Sequence, residues 1–337
     1  MLVRQVRLNQ MITSTKKQNI LIIGAGNIGR RHAESICCEK KIKNNYEVHI
    51  YDKNPKHYEE LSAILSQREK HITPKFCFNE NEIPSEIFLI IFATDSRNRF
   101  DSVRRFFETK NARFCILEKF LFPREQEYFE VSKILNKNNV KAFVNCVPRC
   151  LKIFKNLNDL LKDQTIKNIS VEGNSWNLAS NGVHFIDLWC FLTNESNFWL
   201  DSFNVKVQDS TRNNYKEIYG QICLSSNSGS ISLINHNLQD DKLMITISTA
   251  GSHVEINYID KHLIFKNKSS NLEEKVIFDI PFQSQLTAEY LNSIVSYGQL
   301  SLPDYQTSSV IHRNLLKAYE KIFIDNEIDL SDGVPVT

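Results

Sequence analysis

The stretch Asn19–Arg31, NILIIGAGNIGRR, decides the fold of this 337-residue chain. It begins with the apolar run Ile20–Ile23, which predicts a short buried strand. A complete G-x-G-x-x-G follows, and the segment from Arg30 to about Lys43 is compatible with a helix. This glycine pattern is specific only when a strand precedes it and a helix follows it. Because both conditions are met, the sequence predicts the start of a doubly wound α/β domain.

The three glycines of the pattern have separate physical roles. Gly24 permits a tight turn, Gly26 lets the backbone approach a pyrophosphate, and Gly29 allows close packing of the helix on the strand. Asn27 and Ile28 lie at the helix N-terminus, whose N–H groups attract an anion. A glycine-rich turn without a ligand is the less favoured interpretation, and we predict a nicotinamide dinucleotide site.

The acid at the end of the next strand bears on which dinucleotide binds. The predicted strand Glu47–Tyr51 ends at Asp52. A carboxylate at this position accepts hydrogen bonds from the adenosine ribose and repels a 2′-phosphate. NAD is therefore the expected cofactor, although the nearby charges of Lys53 and Lys56 would tolerate the phosphate of NADP.

The composition is that of an ordinary globular protein, with 42% hydrophobic residues, 24% charged residues and a net charge of +2. This balance favours neither nucleic acid nor a membrane as a partner. No apolar run approaches the length of a membrane span. At 337 residues the chain is long for a single core, so we expect two domains.

The eight cysteines include no C-x-x-C pair, and no signal-peptide pattern precedes them. Reduced thiols and a cytoplasmic location are therefore expected. Cys146 and Cys150 are the nearest approach to a metal-binding pair, but no second pair accompanies them and we expect no metal site. Residues 1–18 are expected to form a basic tail, unless Met11 is the true start.

Residues 19–148 alternate between predicted strands and helices. The run Ile87–Ala93, IFLIIFA, is typical of a parallel strand that is buried on both faces. A loop is predicted at Thr94–Arg99 and a helix at about 100–110. Repeated βα units imply a parallel sheet with right-handed crossovers. This region is therefore predicted to be a Rossmann dinucleotide-binding domain.

Residues 149–337 have a different pattern. Apolar and polar residues alternate in several short segments, separated by hairpin-like turns such as Asn227–Gly229. Predicted helices interrupt this pattern at Asn181–Leu192 and close it at about Thr287–Ile324, with a break near Pro303. We predict an α+β domain with a large, mostly antiparallel open sheet that binds substrate. The exposed face of such a sheet is expected to form a homodimer or homotetramer.

Three groups of polar residues are candidates for the chemistry. Lys119 directly follows an apolar strand, and it is either a group that stabilises an alkoxide or an exposed lysine at a strand end. His184 and Asp187 lie at i, i+3 of a predicted helix, so the carboxylate can orient a proton-accepting imidazole; a packed histidine is the alternative. Asn145 and Arg149 follow the last predicted parallel strand. Arg149 either binds a substrate carboxylate or phosphate or bridges the two domains.

In order and spacing, these motifs resemble the Gfo/Idh/MocA oxidoreductases over nearly the whole chain. Ala93 and Thr94 resemble the Ala-Thr that borders the nicotinamide in that family. Glu118 and Lys119 are similar to its Glu-Lys-Pro signature, whose lysine is catalytic. His184 matches the histidine of its D-x-G-x-H motif. The resemblance implies that the first four of these residues contact the cofactor.

The chain departs from the family pattern at several positions, and Asp95 and Arg99 replace the Pro and His that are common in the Ala-Thr loop. Phe120 stands where proline is usual, and a cis peptide before it is therefore not expected, since a non-proline cis bond costs about 3 kcal/mol. Ser180 occupies the position of the motif aspartate, and a serine has no charge with which to hold an imidazolium. A pair formed by Lys119 and His184, aided by Asn181, remains as the expected reactive set.

The resemblance implies hydride transfer between NAD(P) and a carbinol or carbonyl of a sugar, sugar phosphate or nucleotide sugar. Lys119 would polarise the reacting oxygen, and His184 would act as acid or base. The substrate would contact a further set of residues: Asn145, Arg149, Ser180, Asn181 and Asp187. A weaker resemblance to members linked with bacterial surface-sugar synthesis favours carbohydrate metabolism. Two alternatives stay open: a lyase or glycosidase that uses tightly bound NAD without net redox change, and a non-catalytic, dinucleotide-binding regulatory protein.

Overall fold

The computed structural model describes residues 17–42, 45–270 and 272–337. The predicted tail at residues 1–18 lies outside these residues except for its last two, of which Gln18 already belongs to the first strand. The chain forms two compact units. Of the described residues, the first unit contains those within 17–118, 131–143 and 281–301, and the second contains those within 119–130, 144–280 and 302–337. The chain thus passes between the units more than once, and the predicted division at 148/149 stays a prediction.

The first unit is built on a six-stranded sheet with the strand order β3-β2-β1-β4-β5-β6. The pairs formed among β1 to β5 are all parallel. The strands are β1 (Gln18–Ile23), β2 (Tyr46–Tyr51), β3 (Lys75–Cys77), β4 (Glu86–Phe92), β5 (Asn111–Leu117) and β6 (Lys141–Val144). The helices of this part of the chain are α1 (Asn27–Cys37), α2 (Lys56–Ser66), α3 (Ser96–Thr109) and α4 (Glu125–Lys137), and residues 281–301 add α7 (Gln283–Tyr297).

The central strands of this sheet are apolar and buried on both faces, as the sequence predicted. The sheet order reverses between β1 and β4, which pair in register from Ile20 with Leu89 to Ile23 with Phe92. Ligands of doubly wound sheets bind at the carboxyl ends of the strands at such a reversal. The glycine turn after β1 and the Ala93-Thr94 segment after β4 both lie there.

Several helix boundaries differ from the prediction, and two of the differences have a visible cause. Helix α1 ends at Cys37 because the backbone N–H groups of His71 and Ile72 donate to the Cys37 carbonyl and so satisfy the helix end. Helix α3 begins at Ser96, within the predicted loop, because Asp95 is an N-cap whose side chain accepts a hydrogen bond from the backbone N–H of Asn98. Sequence periodicity alone missed both contacts.

The second unit contains an eight-stranded sheet with the order β14-β13-β12-β11-β7-β10-β9-β8. Its strands are β7 (Ile166–Asn174), β8 (Trp199–Asp209), β9 (Lys216–Ser225), β10 (Ser230–His236), β11 (Leu243–Thr249), β12 (Ser252–Asn257), β13 (His262–Asn267) and β14 (Leu272–Ile277). All recorded pairs are antiparallel except β7 with β10. Alternate residues are buried, for example Ile245 and Ile247 in β11. The predicted fold class, a Rossmann domain and a mostly antiparallel open sheet, is confirmed.

The helices of the second half are α5 (Lys152–Leu161), α6 (Leu178–Thr193) and α8 (Tyr305–Asp325). Between α7 and α8 the chain leaves the helical conformation from Gly298 onward, which agrees with the break predicted near Pro303. Gly298 has φ +63°, a conformation that glycine adopts readily at a helix end. Among the described residues, no helix is long and apolar enough to cross a membrane.

Candidate functional site

The turn between β1 and α1 requires glycine at two of its three motif positions. Gly24 has φ +94°, and a Cβ there would lie 2.9 Å from the backbone of Ala93. A Cβ on Gly29 would overlap the carbonyl of Gly24. Both glycines are therefore needed by the protein's own packing, which supports the structural roles predicted for them.

Gly26 differs from its two neighbours because no atom of the described residues lies within 4 Å of the position that a Cβ would take. It is the N-cap of α1, with φ −65°, so a side chain would be neither strained nor crowded. The first turn of this helix holds no acidic residue, and its N-cap makes no side-chain hydrogen bond. This open helix N-terminus fits the pyrophosphate of a dinucleotide, in which a side chain at Gly26 would collide with the ligand.

A cavity of about 330 Å³ lies in the first unit beside this turn. It is lined by Gly24, Gly26, Asp52, Ala93 and Thr94, five of the residues predicted to bind cofactor. The Thr94 hydroxyl oxygen is buried and has no hydrogen-bond partner among the described residues. A buried polar atom of this kind normally has a partner, so a ligand with a polar edge fits here. The residues present therefore suit a dinucleotide.

Asn27 and Ile28, two further residues of the glycine loop that were predicted to bind cofactor, are exposed. Asn27 accepts a hydrogen bond from Arg30 through its side-chain oxygen, at 2.7 Å. Ile28 is exposed. Their predicted contact with cofactor can involve their backbone N–H groups at the helix N-terminus, and it stays a prediction.

Asp52 lies at the end of β2, as predicted, but its carboxylate is already engaged by its own chain. One oxygen accepts from the Ala25 N–H at 2.6 Å and lies 3.0 Å from Nδ1 of His57. The other accepts from the Asn54 N–H at 2.7 Å. Asp52 thereby ties the glycine turn to the start of α2. His57, which also lines the cavity, was missed by the sequence analysis.

Glu118 is buried at the end of β5, where its carboxylate lies 2.9 Å from Nε2 of His32. His32 is itself fully buried in α1, and its Nδ1 lies 2.8 Å from the hydroxyl of Thr287 in α7. Glu118 thus links the glycine-loop helix to the end of a central strand. His32 and Thr287 were not predicted, because their contact joins residues 255 apart in sequence.

The peptide bond between Lys119 and Phe120 is cis, so the expectation that it would be trans was wrong. Phe120 is fully buried, and its ring packs against His312 and Tyr319. The next residue, Leu121, donates its backbone N–H to Nδ1 of His312. His312 and Tyr319 both belong to α8, so a local sequence pattern around Phe120 could not predict their contacts with it.

The Lys119 ammonium donates to the carbonyl of Ser180 and to the side-chain oxygen of Asn181, both at 3.0 Å. Ser180 thus contacts the lysine through its backbone and not through its hydroxyl. The Asn181 amide nitrogen in turn donates to the carbonyl of Trp176 at 2.9 Å. The first turn of α6 therefore fixes the lysine head, and Asn181, which was expected to aid the Lys119/His184 pair, is one of the two residues that hold it.

His184 follows one turn further along α6. Its Nδ1 is buried and has no hydrogen-bond partner among the described residues. The pKa of His184 is well below the ordinary value, first because burial disfavours the charged form and then because Lys119 and His312 repel it. His184 is therefore a neutral imidazole whose Nδ1 is left without a partner among the described residues.

Asp187 does not orient His184, which corrects one of the roles proposed for it. Its carboxylate accepts from Nε of Arg149 at 2.6 Å and from Nη2 at 2.8 Å. Arg149 therefore uses Nε and Nη2 on Asp187, within the second unit, and its predicted contact with a substrate anion stays a prediction. Burial raises the pKa of Asp187 to about 6, against the opposing effect of Arg149. Asn145 is buried, and its predicted contact with substrate stays a prediction.

Glu217 in β9 is a further buried carboxylate that the sequence analysis missed. It accepts from the Ala179 N–H at 2.7 Å and the Ile218 N–H at 2.9 Å, so it caps the start of α6. Burial raises its pKa, while these two hydrogen bonds and the charge of Lys119 lower it. The period-two pattern of β9 predicted a strand and gave no reason to single out this side chain.

No protein-family model and no curated protein sequence matches the chain. Solved structures do match. UDP-N-acetylglucosamine 3-dehydrogenase GnnA from Acidithiobacillus ferrooxidans has a TM-score of 0.69 at 13% identity, over 90% of this chain and 96% of that one. KijD10, a 3-ketoreductase from Actinomadura kijaniata solved as a mutant in complex with TDP-benzene and NADP, has a TM-score of 0.68 at 10% identity, over 91% and 98%.

The transcriptional regulator Gal80p from Kluyveromyces lactis matches equally well, with a TM-score of 0.67 at 15% identity over 93% of each chain. At such identities these likenesses show the fold alone. The fold implied by the resemblance to the Gfo/Idh/MocA oxidoreductases is therefore confirmed, and it is a fold that both dehydrogenases and a regulator use.

Proposed function

We propose that this chain is an NAD(P)-dependent oxidoreductase of the Gfo/Idh/MocA type, which transfers hydride to or from a carbinol or carbonyl of a sugar, sugar phosphate or nucleotide sugar. One observation carries the proposal: the first turn of α6 holds the Lys119 ammonium, and His184, whose pKa that ammonium helps to lower, follows one turn later on the same helix. A cation beside a neutral imidazole is what alcohol oxidation needs, since one stabilises an alkoxide and the other accepts a proton.

In the direction of oxidation, Lys119 donates a hydrogen bond to the reacting hydroxyl oxygen, and the imidazole of His184 takes its proton. The C–H bond then breaks with its electron pair as the C=O bond forms. A bound nicotinamide ring supplies the hydride acceptor, or the donor in the reverse direction. Asn181 keeps the ammonium in place through its 3.0 Å contact. In reduction, the proton returns from the imidazole to the new alkoxide.

The substrate class is proposed from the matched structures. GnnA is named as a dehydrogenase of a UDP-sugar, and KijD10 is a ketoreductase with a TDP group bound. We propose nucleotide sugars as the first substrates to test. We also propose that the protein is cytoplasmic and that it assembles as a homodimer or homotetramer through the exposed face of its large sheet. The cofactor is NAD or NADP.

The test is the variant Lys119→Met, which removes the ammonium and retains an unbranched side chain of similar length. We expect turnover with a responsive nucleotide sugar to fall by at least about a thousandfold, while NAD(P) affinity changes little. Nicotinamide absorbance reports turnover, and calorimetry reports cofactor affinity. The exposed Lys152, changed to Met, is the matched control. Unchanged turnover in Lys119→Met would overturn the proposed mechanism.

A non-catalytic regulatory protein is the second candidate, and the likeness to Gal80p favours it. It predicts dinucleotide binding without NAD(P)H formation or consumption for any member of the sugar panel. The same calorimetry therefore separates the two candidates. Binding with turnover supports the oxidoreductase, and binding without turnover supports the regulator.

A further inference from the structure

The last strand of the large sheet, β14, is an open edge. It pairs with β13 on one side, and no strand of the described part of the chain pairs with its other side. All six of its residues are exposed, including the apolar side chains of Leu272, Val276 and Ile277. A strand of this kind presents unpaired N–H and C=O groups to any second strand that can lie beside it.

The free backbone groups of β14 belong to alternate residues. Directly after the strand, the N–H of Phe278 donates to the carbonyl of Lys261 at 3.0 Å. Because hydrogen-bonded and non-hydrogen-bonded pairs alternate along an antiparallel ladder, the even-numbered residues of β14 bond to β13. Glu273, Lys275 and Ile277 therefore direct their N–H and C=O groups to the open side of the sheet.

Two copies of β14 can pair about a two-fold axis perpendicular to the sheet, which sets one residue opposite itself. With Glu274 at that position, Glu273 of each copy lies opposite Lys275 of the other, and both of these residues have free backbone groups. Two ion pairs and two hydrogen-bonded residue pairs form in this register. A register centred on Glu273 or on Lys275 opposes like charges and forms no ion pair within the strand.

The other face of β14 carries Leu272, Glu274 and Val276, on the side of the buried Leu263 and Phe265 in β13. In the same register, Leu272 of each copy lies opposite Val276 of the other, so the apolar row of the sheet continues across the axis. Glu274 lies opposite Glu274 of the other copy, and this is the single like-charge pair of the register.

We propose that β14 is a self-association edge, at which a second copy of this chain adds its own β14 and continues the large sheet across a two-fold axis. Charged residues at a sheet edge usually prevent such pairing. Here the order Glu-Glu-Lys at residues 273–275 is complementary to itself in the antiparallel direction, so the charges select a second copy of the chain. The contact uses the backbone of the edge and is separate from the one proposed for the sheet face.

Register-specific cross-linking tests the pairing. Glu274→Cys places a thiol opposite its own copy in a non-hydrogen-bonded pair, where the Cα atoms lie about 4.5 Å apart, within the reach of a disulfide. Val276→Cys is the matched control on the same face: its thiol lies opposite Leu272, and its own copy is beyond the limit of about 7 Å. Mild oxidation should link Glu274→Cys into a dimer on a non-reducing gel, and leave Val276→Cys unlinked. Equal linkage in both variants, or none in either, would overturn the inference.

Charge exchange provides a second readout, measured by analytical ultracentrifugation. Glu273→Lys and Lys275→Glu should each weaken self-association by at least about tenfold, because both ion pairs become like-charge pairs. An equimolar mixture of the two variants restores opposite charges across the axis and should recover the native association. No recovery in the mixture would overturn the inference. Native association in both single variants would also overturn it, and would leave the contact through the sheet face and the proposed activity untouched.

Discussion

The glycine turn of the first unit and the lysine–histidine cluster of the second unit are built in different ways. The three glycines of the turn lie within a few positions of one another, and their roles follow from backbone geometry at Gly24 and Gly29, although Gly24 also packs against Ala93. The cluster brings Lys119 to Ser180 and Asn181, which lie more than sixty positions further along the chain. Local spacing predicts the first kind of site in detail. For the second kind it predicts the participants and not all of their contacts.

The largest effect expected within this comparison is at the turn, where Gly29→Ala should destabilise the protein by more than about 3 kcal/mol, because its Cβ would overlap the carbonyl of Gly24. Gly26→Ala is the matched variant: its Cβ meets no atom of the described residues within 4 Å, so stability should be unchanged. Its methyl group should nevertheless weaken NAD(P) binding by at least about tenfold.

Urea unfolding and cofactor titration of the two glycine variants separate the roles. If Gly26→Ala binds the dinucleotide as tightly as the native chain, the open space above Gly26 is not the pyrophosphate site. If Gly29→Ala is as stable as the native chain, the close contact of α1 with the turn is less demanding than its geometry indicates.

The second prediction concerns the ion pair between Arg149 and Asp187, which the sequence analysis did not predict. A surface ion pair lowers the pKa of its acid, but burial raises that of Asp187 to about 6, above its ordinary value of 3.8. Because the folded state then holds the proton more tightly than the unfolded state, this group contributes stability at acid pH and loses it as pH rises through about 6.

The measurement is urea unfolding of the native chain and Asp187→Asn at several pH values. The stability advantage of the native chain over Asp187→Asn should shrink by about 1 kcal/mol between pH 5 and pH 7, because asparagine does not titrate. An advantage that grows with pH would show that Arg149 outweighs burial. An advantage that is independent of pH would mean that Asp187 titrates outside this range.

The fold was predictable because its signals are local and repeated. The apolar run Ile87–Ala93 and the alternation in β11 each identify their strand without knowledge of a partner. Residue type and motif order singled out Lys119, His184 and Asp52 as candidates, and their roles in the chemistry and in cofactor binding stay predictions. What remained out of reach depends on contacts between distant segments. The spacing of His184 and Asp187 favoured one pairing, whereas the fold gives Asp187 to Arg149.

The smallest expected effect is the most informative about the altered motif. Ser180 replaces an aspartate of the family pattern, yet its contact with Lys119 is made by its carbonyl oxygen. Ser180→Ala keeps that carbonyl and removes a hydroxyl whose contact with the Asn177 carbonyl is long, at 3.4 Å. Turnover should therefore change by less than about twofold, since no charge or close hydrogen bond is lost.

Asn181→Ala is the control for this prediction, because it removes the side-chain oxygen that accepts from Lys119 at 3.0 Å. Turnover should fall by about ten- to a hundredfold, with cofactor affinity unchanged, as expected for a positioning residue. Equal losses in Ser180→Ala and Asn181→Ala would mean that the serine hydroxyl takes part in the chemistry. In that case the first turn of α6 would work through its side chains at both positions, and the missing aspartate would have been replaced by a serine with a function of its own.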